Sequence, residues 1–260
     1  MIKYIVKYFI YLLKFCVGRT EYVRLPIILG RAVIFNPYNK SMKVLRVNSN
    51  IDIITLDHTF LQEQYKLRKW KQYIHLIQKN YGQKKYLLDL GANAGYSANY
   101  FSDQTPEINI IAIEPEENNF KTAKINLSKI ENVELLLGAI GGVSGFAEIK
   151  NEYKDSNAFQ VDRTITSFEN SIRIYSICEI MKNYEIDNLF IVKIDIEGFE
   201  EDLFSVDLEW IDHTDIIIIE LHDWLFPFQG KSVNFIRAIS NRNRDLVVDG
   251  ENLISFKNHG

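Results

Sequence analysis

Short apolar runs alternate with amphipathic stretches from residue 84 to the C-terminal end of the sequence. A short apolar run bounded by turn residues is typical of a buried strand, and apolar positions spaced three or four apart are typical of a helix. Their alternation predicts an α/β fold, with helices on both faces of a doubly wound, mostly parallel sheet in three layers. The predicted strands are Tyr86–Leu90, Ile108–Ile113, Val133–Leu137, Leu189–Ile194 and Asp215–Leu221, with an edge strand at Phe146–Ile149 and a hairpin over 245–256. The predicted helices are Tyr96–Asp103, Glu116–Leu127, Ile172–Tyr184, Phe199–Phe204 and Val233–Arg242.

Residues 1–80 follow a different pattern, so we predict an accessory region there and an α/β domain over residues 81–260. Turn signals separate short strand-like runs, and a longer amphipathic stretch then ends at a glycine, as helices commonly do. Residues 151–170 are polar and predict a surface loop. In the accessory region we predict strands at Ile27–Phe35, Lys43–Val47 and Ile51–Leu56, and a helix at Thr59–Asn80.

The first 17 residues are apolar and aromatic, and their three lysines share one face of a predicted helix. Such a helix could lie in a membrane interface, or it could pack on its own domain or on a dimer partner. No apolar stretch is long enough to span a bilayer. Because the two cysteines form no disulfide framework, we expect a cytoplasmic protein, with any membrane association through this helix.

Composition narrows the classes of partner. The net charge is −4, from 30 basic and 34 acidic residues, so nothing indicates nucleic-acid binding. The two cysteines are far apart in the sequence, which predicts neither a disulfide framework nor a zinc site. A small molecule or a glycan remains the expected partner.

Glycines and polar residues stand where the predicted strands end. In an open α/β sheet the carboxyl ends of the strands form the ligand crevice, so these residues predict one cofactor site. The groups are Asp89–Gly95, Glu114-Pro115, Gly138-Ala139, Lys193–Gly198 and Glu220–His222.

The turn from Asp89 to Gly95 would let a cofactor approach the backbone closely. Asn93 stands where a dinucleotide fingerprint would often have a second glycine. The acid at Asp89 would oppose a dinucleotide phosphate but would suit a cationic amino group, such as that of a methionine moiety. The alternative interpretation is an ordinary strand-to-helix turn.

Glu114 ends the second strand, about 20 positions past the glycine turn, where an acid commonly binds ribose hydroxyls. The alternative is an exposed acid that a helix N-terminus stabilises, and Pro115 at the helix start fits both interpretations.

Charged residues at the ends of the last two central strands predict the catalytic group. Lys193, Asp195 and Glu197 would share one strand face, and Glu220 and His222 would share a face of the next strand. We predict His222 as a general base, Asp195 or Glu197 as the second choice, and Lys193 as the group that orients the carboxylates or the substrate oxygen. A self-neutralising structural network is the alternative. Asp195, Glu197, Glu220 and His222 could also hold a divalent cation, although nothing in their spacing demands one.

Together these residues resemble the FkbM-type family of S-adenosylmethionine-dependent methyltransferases. The resemblance implies a seven-stranded class I methyltransferase sheet, which is Rossmann-like and ends in a hairpin. It also implies O-methylation of a sugar, a glycan or a secondary-metabolite hydroxyl. The matching stretches are Leu88–Ser97, Ile113–Glu116, Val192–Glu200 and Ile219–His222.

The resemblance also assigns roles by position in the motifs. The residues of the glycine turn would line the methionine end of the cofactor, Glu114 would bind the ribose, and Ala139-Ile140 would flank the adenine. The full set of predicted cofactor residues is Asp89, Gly91, Ala92, Asn93, Gly95, Tyr96, Ser97, Glu114, Pro115, Ala139 and Ile140.

Two other classes of protein remain open at this point. An NAD-dependent oxidoreductase could use a similar sheet, but the missing fingerprint and Asp89 count against it. A non-catalytic scaffold would keep the fold without the chemistry. We expect acceptor choice to reside in residues 1–80 and 151–170, which match no recognised pattern.

Overall fold

The computed structural model describes residues 21–105, 107–150, 160–164 and 171–258, without the side chains of 148–150 and 160–164. The predicted N-terminal helix over residues 1–17 lies outside the described residues, and so does most of the predicted loop over 151–170. No helix of the described residues combines the length and the apolar character that crossing a membrane requires.

The described residues form three sheets. The strands are β1 Val23–Arg24, β2 Arg31–Asn36, β3 Ser41–Arg46, β4 Lys85–Leu90, β5 Ile108–Glu114, β6 Val133–Leu137, β7 Ala139–Ile140, β8 Gly145–Lys150, β9 Gln160–Thr164, β10 Ser171–Tyr175, β11 Leu189–Ile194, β12 Thr214–Glu220, β13 Arg244–Asp249 and β14 Asn252–Lys257. The α-helices are α1 Asn50–Leu56, α2 Lys71–Lys79, α3 Tyr96–Gln104, α4 Glu117–Leu127, α5 Ile177–Asn183, α6 Glu200–Leu203, α7 Glu209–Asp212 and α8 Val233–Ser240.

The central sheet has seven strands in the order β13-β14-β12-β11-β4-β5-β6. Strands β6, β5, β4, β11 and β12 are parallel, whereas β14 pairs antiparallel with β12 and forms a hairpin with β13. The chain runs outward from β4 to β6 and then returns to β11 on the other side of β4. This reversal places a topological switch point between β4 and β11, which is where ligands bind in such sheets. The predicted doubly wound sheet and C-terminal hairpin are confirmed.

Hydrophobic residues cover both faces of the central sheet, which gives the three predicted layers. One core joins alternate residues of the sheet to α2, α3 and α4, and to buried residues of the accessory region such as Ile34 and Phe60. The other joins the opposite sheet face to α5, α7 and α8. The accessory region therefore packs directly against the sheet and is positioned next to its ligand edge.

Two predicted elements of the accessory region are wrong. Ile51–Leu56 belongs to helix α1 because Ser49 and Asp52 form a reciprocal capping box that starts a helix there. The single predicted helix over Thr59–Asn80 is broken into a π-helix, a 3-10 helix at Leu67–Lys69 and α2. Glu63 adopts a left-handed φ of 51° between the first two of these pieces, which ends the helical run.

The prediction also fails in the middle of the chain. The first part of the predicted helix Ile172–Tyr184 is strand β10, and α5 begins only after Ser176, whose side chain accepts a hydrogen bond from the Glu179 N–H. Residues 160–164, predicted as loop, form β9 and pair with β8. These strands build a second sheet in the order β7-β10-β8-β9, in which β8 is interior and not the predicted edge strand.

Candidate functional site

The glycine turn after β4 brings the chain into contact with the end of β11. Gly91 has a φ of 76°, and a Cβ atom there would lie 1.8 Å from the backbone oxygen of Asp195. Only glycine allows both this backbone conformation and this approach. Lys193 reinforces the contact, since its Nζ donates to the Gly91 carbonyl at 2.7 Å. The two strands that flank the switch point are thereby joined at the ligand edge.

Asp89 lies behind this turn and is fully buried. Its carboxylate accepts a hydrogen bond of 2.5 Å from the Ser97 hydroxyl and lies 3.2 Å from Lys193 Nζ. Through these two partners Asp89 stabilises the glycine turn. Its direct contact with a cofactor stays a prediction.

Lys193 is a buried cation between two carboxylates. Its Nζ lies 3.2 Å from Asp89 and 3.4 Å from Asp195. Burial alone would lower the pKa of Lys193, but the two carboxylates outweigh burial and raise it well above its ordinary value. The lysine therefore stays charged near neutral pH.

Glu114 lies at the end of β5 and is nearly inaccessible to solvent. One carboxylate oxygen accepts from the Asn93 N–H at 2.7 Å and the other from the Glu116 N–H at 3.0 Å. Burial raises the pKa of Glu114 to about 7, although these N–H groups and Asn119 act in the opposite direction. A buried carboxyl group at this edge is suited to accept hydrogen bonds from a polar ligand.

Glu114 forms one wall of a small cavity of about 60 Å³ at the ligand edge. The opposite walls combine apolar side chains with the turn after β11. The lining residues are Gly91, Asn93, Ile113, Glu114, Pro115, Asn119, Gly138, Ala139, Ile140, Asp195, Ile196, Glu197 and Phe199. The structure thus brings together the predicted glycine-turn, Glu114-Pro115 and Ala139-Ile140 groups around one cavity.

A second cavity of about 270 Å³ adjoins the first and shares Gly91, Asn93, Asp195 and Glu197 with it. Its walls include the remaining predicted catalytic residues and part of the accessory region. The lining residues are Ile51, Thr55, His58, Thr59, Gln64, Tyr65, Gly91, Ala92, Asn93, Tyr96, Ser97, Lys193, Asp195, Glu197, Glu220, His222, Trp224, Leu225 and Glu251. The two cavities meet at these carboxylates, so ligands bound in them would lie side by side.

His222 lies at the centre of a carboxylate cluster and is 2% exposed. Its Nδ1 is 2.7 Å from Glu200 Oε1. Its Nε2 lies 3.6 Å from Asp195, 3.6 Å from Glu197 and 3.8 Å from Glu220. Burial lowers the pKa of His222, but the surrounding carboxylates, Glu200 first among them, raise it to about 9. The ring is therefore protonated at neutral pH, and it would have to lose that proton before acting as a base.

Glu197 and Glu220 line the second cavity, and both lie close to Nε2 of His222. Burial and the nearby charge of Asp195 raise the pKa of each to about 7. Glu197 does not continue the strand, as the sequence pattern implied, because β11 ends at Ile194 and Glu197 has a left-handed φ of 54°. The turn, and not strand alternation, directs Glu197 towards the histidine.

Four residues of the site were not predicted from the sequence as functional residues. Glu200, the buried partner of His222, lies in the matching stretch Val192–Glu200, but no local pattern distinguishes it from the acids beside it. Asn119 lies in the first turn of α4 and reaches Glu114 at 3.4 Å. Gln64 and Tyr65 enter the second cavity from the irregular segment before the 3-10 helix, where the sequence predicted a continuous helix.

Two solved structures are similar to this chain at low sequence identity. A precorrin-6y C5,15-methyltransferase from Geobacter metallireducens GS-15 has 10% identity and a TM-score of 0.39, and the match covers 72% of this chain and 87% of that one. Monomeric WbdD has 14% identity and a TM-score of 0.45, with coverage of 76% of this chain and 41% of that one. A search of curated proteins found no match.

The sequence itself matches the family described as the methyltransferase FkbM domain over residues 89–246, which is more than half of the chain. The match begins at the buried aspartate of the glycine turn, includes the carboxylate cluster and ends inside β13. It agrees with the resemblance that the motifs gave and with the observed seven-stranded sheet. This chain therefore belongs to the FkbM family of methyltransferases.

Proposed function

We propose that this protein transfers a methyl group from S-adenosylmethionine to a hydroxyl group of a sugar, a glycan or a secondary metabolite. The observation that carries the proposal is the pair of adjoining cavities, one lined by Glu114 and the glycine turn and the other by the accessory region. The carboxylate cluster lies where the two cavities meet.

The residues of the first cavity fit S-adenosylmethionine. The Glu114 carboxylate suits ribose hydroxyls, and the apolar slot beside Ala139, Ile140 and Phe199 suits a flat adenine ring. The acids Asp195 and Glu197 would face positive charge, which a sulfonium and an ammonium group supply. A dinucleotide would instead bring phosphates towards these acids.

When bound, the cofactor supplies an electrophilic methyl group on a positively charged sulfur. The chain must then orient the acceptor and exclude water, and good alignment alone can lower a barrier by about 7–11 kcal/mol. In the transfer a new O–C bond forms, the C–S bond breaks and its electron pair goes to sulfur.

The hydroxyl proton must leave as the new bond forms, and the carboxylate cluster is placed to receive it. Nδ1 of His222 contacts Glu200, so a neutral ring presents its lone pair at Nε2, towards Asp195, Glu197 and Glu220. A positioned base of this kind typically contributes about 10²–10⁴-fold. His222, Asp195 and Glu197 therefore remain the proposed proton acceptors, with Lys193 holding Asp195 in place.

The first test is calorimetric binding of S-adenosylmethionine and S-adenosylhomocysteine, with NAD as the comparator. We expect micromolar binding of the first two, and a loss of about 10–100-fold in Glu114→Ala, as for a hydrogen bond to a charged group. Glu117→Ala is the matched control, because Glu117 is an exposed acid of the next helix paired with Lys121. Binding of NAD alone would restore the oxidoreductase alternative.

Chemistry is tested with labelled S-adenosylmethionine and a panel of sugars, glycolipids and hydroxylated metabolites. Transfer of label to a hydroxyl oxygen supports the proposal. Cofactor binding with transfer only to nitrogen or carbon would overturn the O-methyl assignment, and the absence of both binding and transfer would favour a scaffold.

A further inference from the structure

One nitrogen of the buried histidine faces a group of carboxylates without a hydrogen bond. Nδ1 of His222 is committed to Glu200 at 2.7 Å. Nε2 points at Asp195, Glu197 and Glu220, whose oxygens lie 3.6–3.8 Å away. These separations exceed hydrogen-bond distance, so among the described residues Nε2 has no hydrogen-bond partner.

The arrangement is unfavourable unless a positive centre lies inside it. Glu200 accepts the Nδ1 proton, so a second proton on Nε2 can supply that positive charge. A bound cation would replace this proton and use the Nε2 lone pair. In the described part of the chain, no lysine or arginine lies within ion-pair distance of Glu197 or Glu220, and Lys193 is already shared by Asp89 and Asp195. The three carboxylates are about a quarter to a third exposed, and charge of one sign gathered at a part-buried site is costly without a counter-ion.

The spacing fits a metal ion better than a direct hydrogen bond. One ligand atom each from Asp195, Glu220 and His222 lie within 4.8 Å of one another. Ligands about 2.0–2.2 Å from a shared tetrahedral ion stand roughly 3.4 Å apart, close to the separations around Nε2. The Glu200–His222 pair also has the form of the outer carboxylate that orients a metal-binding imidazole.

We propose that Asp195, Glu220 and His222 bind a divalent cation, with Glu197 beside them as a further oxygen ligand. A set that mixes one imidazole with carboxylates suits a transition-type ion such as Mn²⁺ or Zn²⁺ better than Ca²⁺. Such an ion would bind the acceptor hydroxyl as a Lewis acid and lower its pKa, so that the more nucleophilic deprotonated oxygen forms more easily. With the ion bound, Nε2 of His222 would be a ligand and not the base, so the proton would pass to a carboxylate oxygen of the cluster that the ion leaves free. This role rests on the proposed methyl transfer, whereas the binding of the ion does not.

Mn²⁺ is the probe for the direct test, because the free and bound ions differ in their electron paramagnetic resonance spectra. After removal of metal with a chelator, we expect the full chain to bind one Mn²⁺. Glu220→Gln should weaken binding by at least about tenfold. Glu251→Gln is the matched control, since Glu251 lines the same cavity but does not contact the histidine, and it should change the affinity by less than about threefold. No bound Mn²⁺, or equal losses in the two variants, would overturn the site.

A second measurement asks whether the histidine is a ligand. Electron spin-echo spectra of the bound Mn²⁺ should show coupling to the imidazole nitrogen, and His222→Gln should remove it. Bound Mn²⁺ without nitrogen coupling in the wild-type protein would contradict the proposed ligand set. Calorimetry of S-adenosylhomocysteine on the same metal-free sample separates failure of the cation site from failure of the proposed function.

Discussion

Glu200 and His222 form a buried pair, with 2.7 Å between Oε1 and Nδ1, and both side chains are at most 2% exposed. The pair joins the first turn of α6 to the loop after β12. The Gly198 N–H also donates to the same Glu200 oxygen at 3.2 Å, so the turn after β11 is part of the contact. Glu200 thereby fixes the orientation of the ring at the centre of the site.

In metal-free protein we expect His222 to titrate near 9, and Glu200→Gln to lower this pKa by about 1–3 because the largest favourable contact is lost. Because the pKa of His222 is raised on folding, its protonation stabilises the folded protein. This contribution to stability is complete at pH values below the unfolded pKa of 6.5 and is lost as the pH rises through about 9. NMR titration of the histidine ring carbons measures this pKa. Glu201→Gln is the control, because Glu201 is an exposed neighbour paired with Lys231. Superimposable titration curves for wild type and Glu200→Gln would show that the Glu200–His222 pair does not determine the pKa of His222.

Alanine substitutions at Gly91 and Gly82 test the close approach of the glycine turn to the backbone of Asp195. Both have a positive φ, 76° and 75°, but a Cβ at Gly91 meets the Asp195 carbonyl, whereas nothing lies within 4 Å of one at Gly82. Gly82→Ala should cost about 1 kcal/mol of unfolding free energy, the usual penalty of the left-handed conformation. Gly91→Ala should cost several kcal/mol, since backbone must move, and should abolish cofactor binding. Chemical denaturation measures the unfolding free energy of both variants. Equal losses of unfolding free energy would mean that the turn at Gly91 can move away from Asp195 without cost.

Burial of Glu114 predicts a pH dependence of stability. Its pKa is raised from 4.5 to about 7 in the folded protein, so the folded state binds this proton more tightly than the unfolded chain. Stability should therefore fall as pH rises from about 4.5 to about 7, by up to roughly 3 kcal/mol from this group. Glu114→Gln lacks the titrating group, so the stability of wild type relative to this variant should decrease over that range. Urea denaturation from pH 4 to pH 8 measures the unfolding free energy of both proteins. If the two plots of unfolding free energy against pH were parallel, the pKa of Glu114 would not be raised on folding.

The accessory region should affect the acceptor and not the cofactor. Gln64 lines the second cavity but not the first. With a methyl acceptor identified, Gln64→Ala should raise its KM by roughly 3–10-fold, the worth of one hydrogen bond, and leave the affinity for S-adenosylhomocysteine unchanged. Gln78→Ala, at an exposed position of α2, serves as the control. A loss of cofactor affinity in Gln64→Ala would show that the two cavities are not separate sites.

The sequence-based predictions were wrong where apolar periodicity conflicted with capping or strand-pairing signals. Ile51–Leu56 has the apolar character of a strand, yet the capping box of Ser49 and Asp52 starts helix α1. Ile172–Tyr175 continues into a helical pattern, yet its alternation places Ile174 in the core of the second sheet. In both stretches pairing or capping partners outweighed apolar periodicity, which alone does not distinguish a short strand from a helix.

The pattern of residues along the chain was sufficient to predict the central sheet and its ligand edge. Parallel strands that are buried on both faces have continuous apolar sequences, and ligand-binding glycines and acids lie at their carboxyl ends. These two patterns identified β4, β5, β11, β12 and the turn at Gly91 from the sequence. The contacts between charged groups, in contrast, could be identified only from the folded chain. The Glu200–His222 pair and the entry of Gln64 into the second cavity depend on left-handed turns and on packing between segments far apart in the sequence, and such contacts leave no local periodicity.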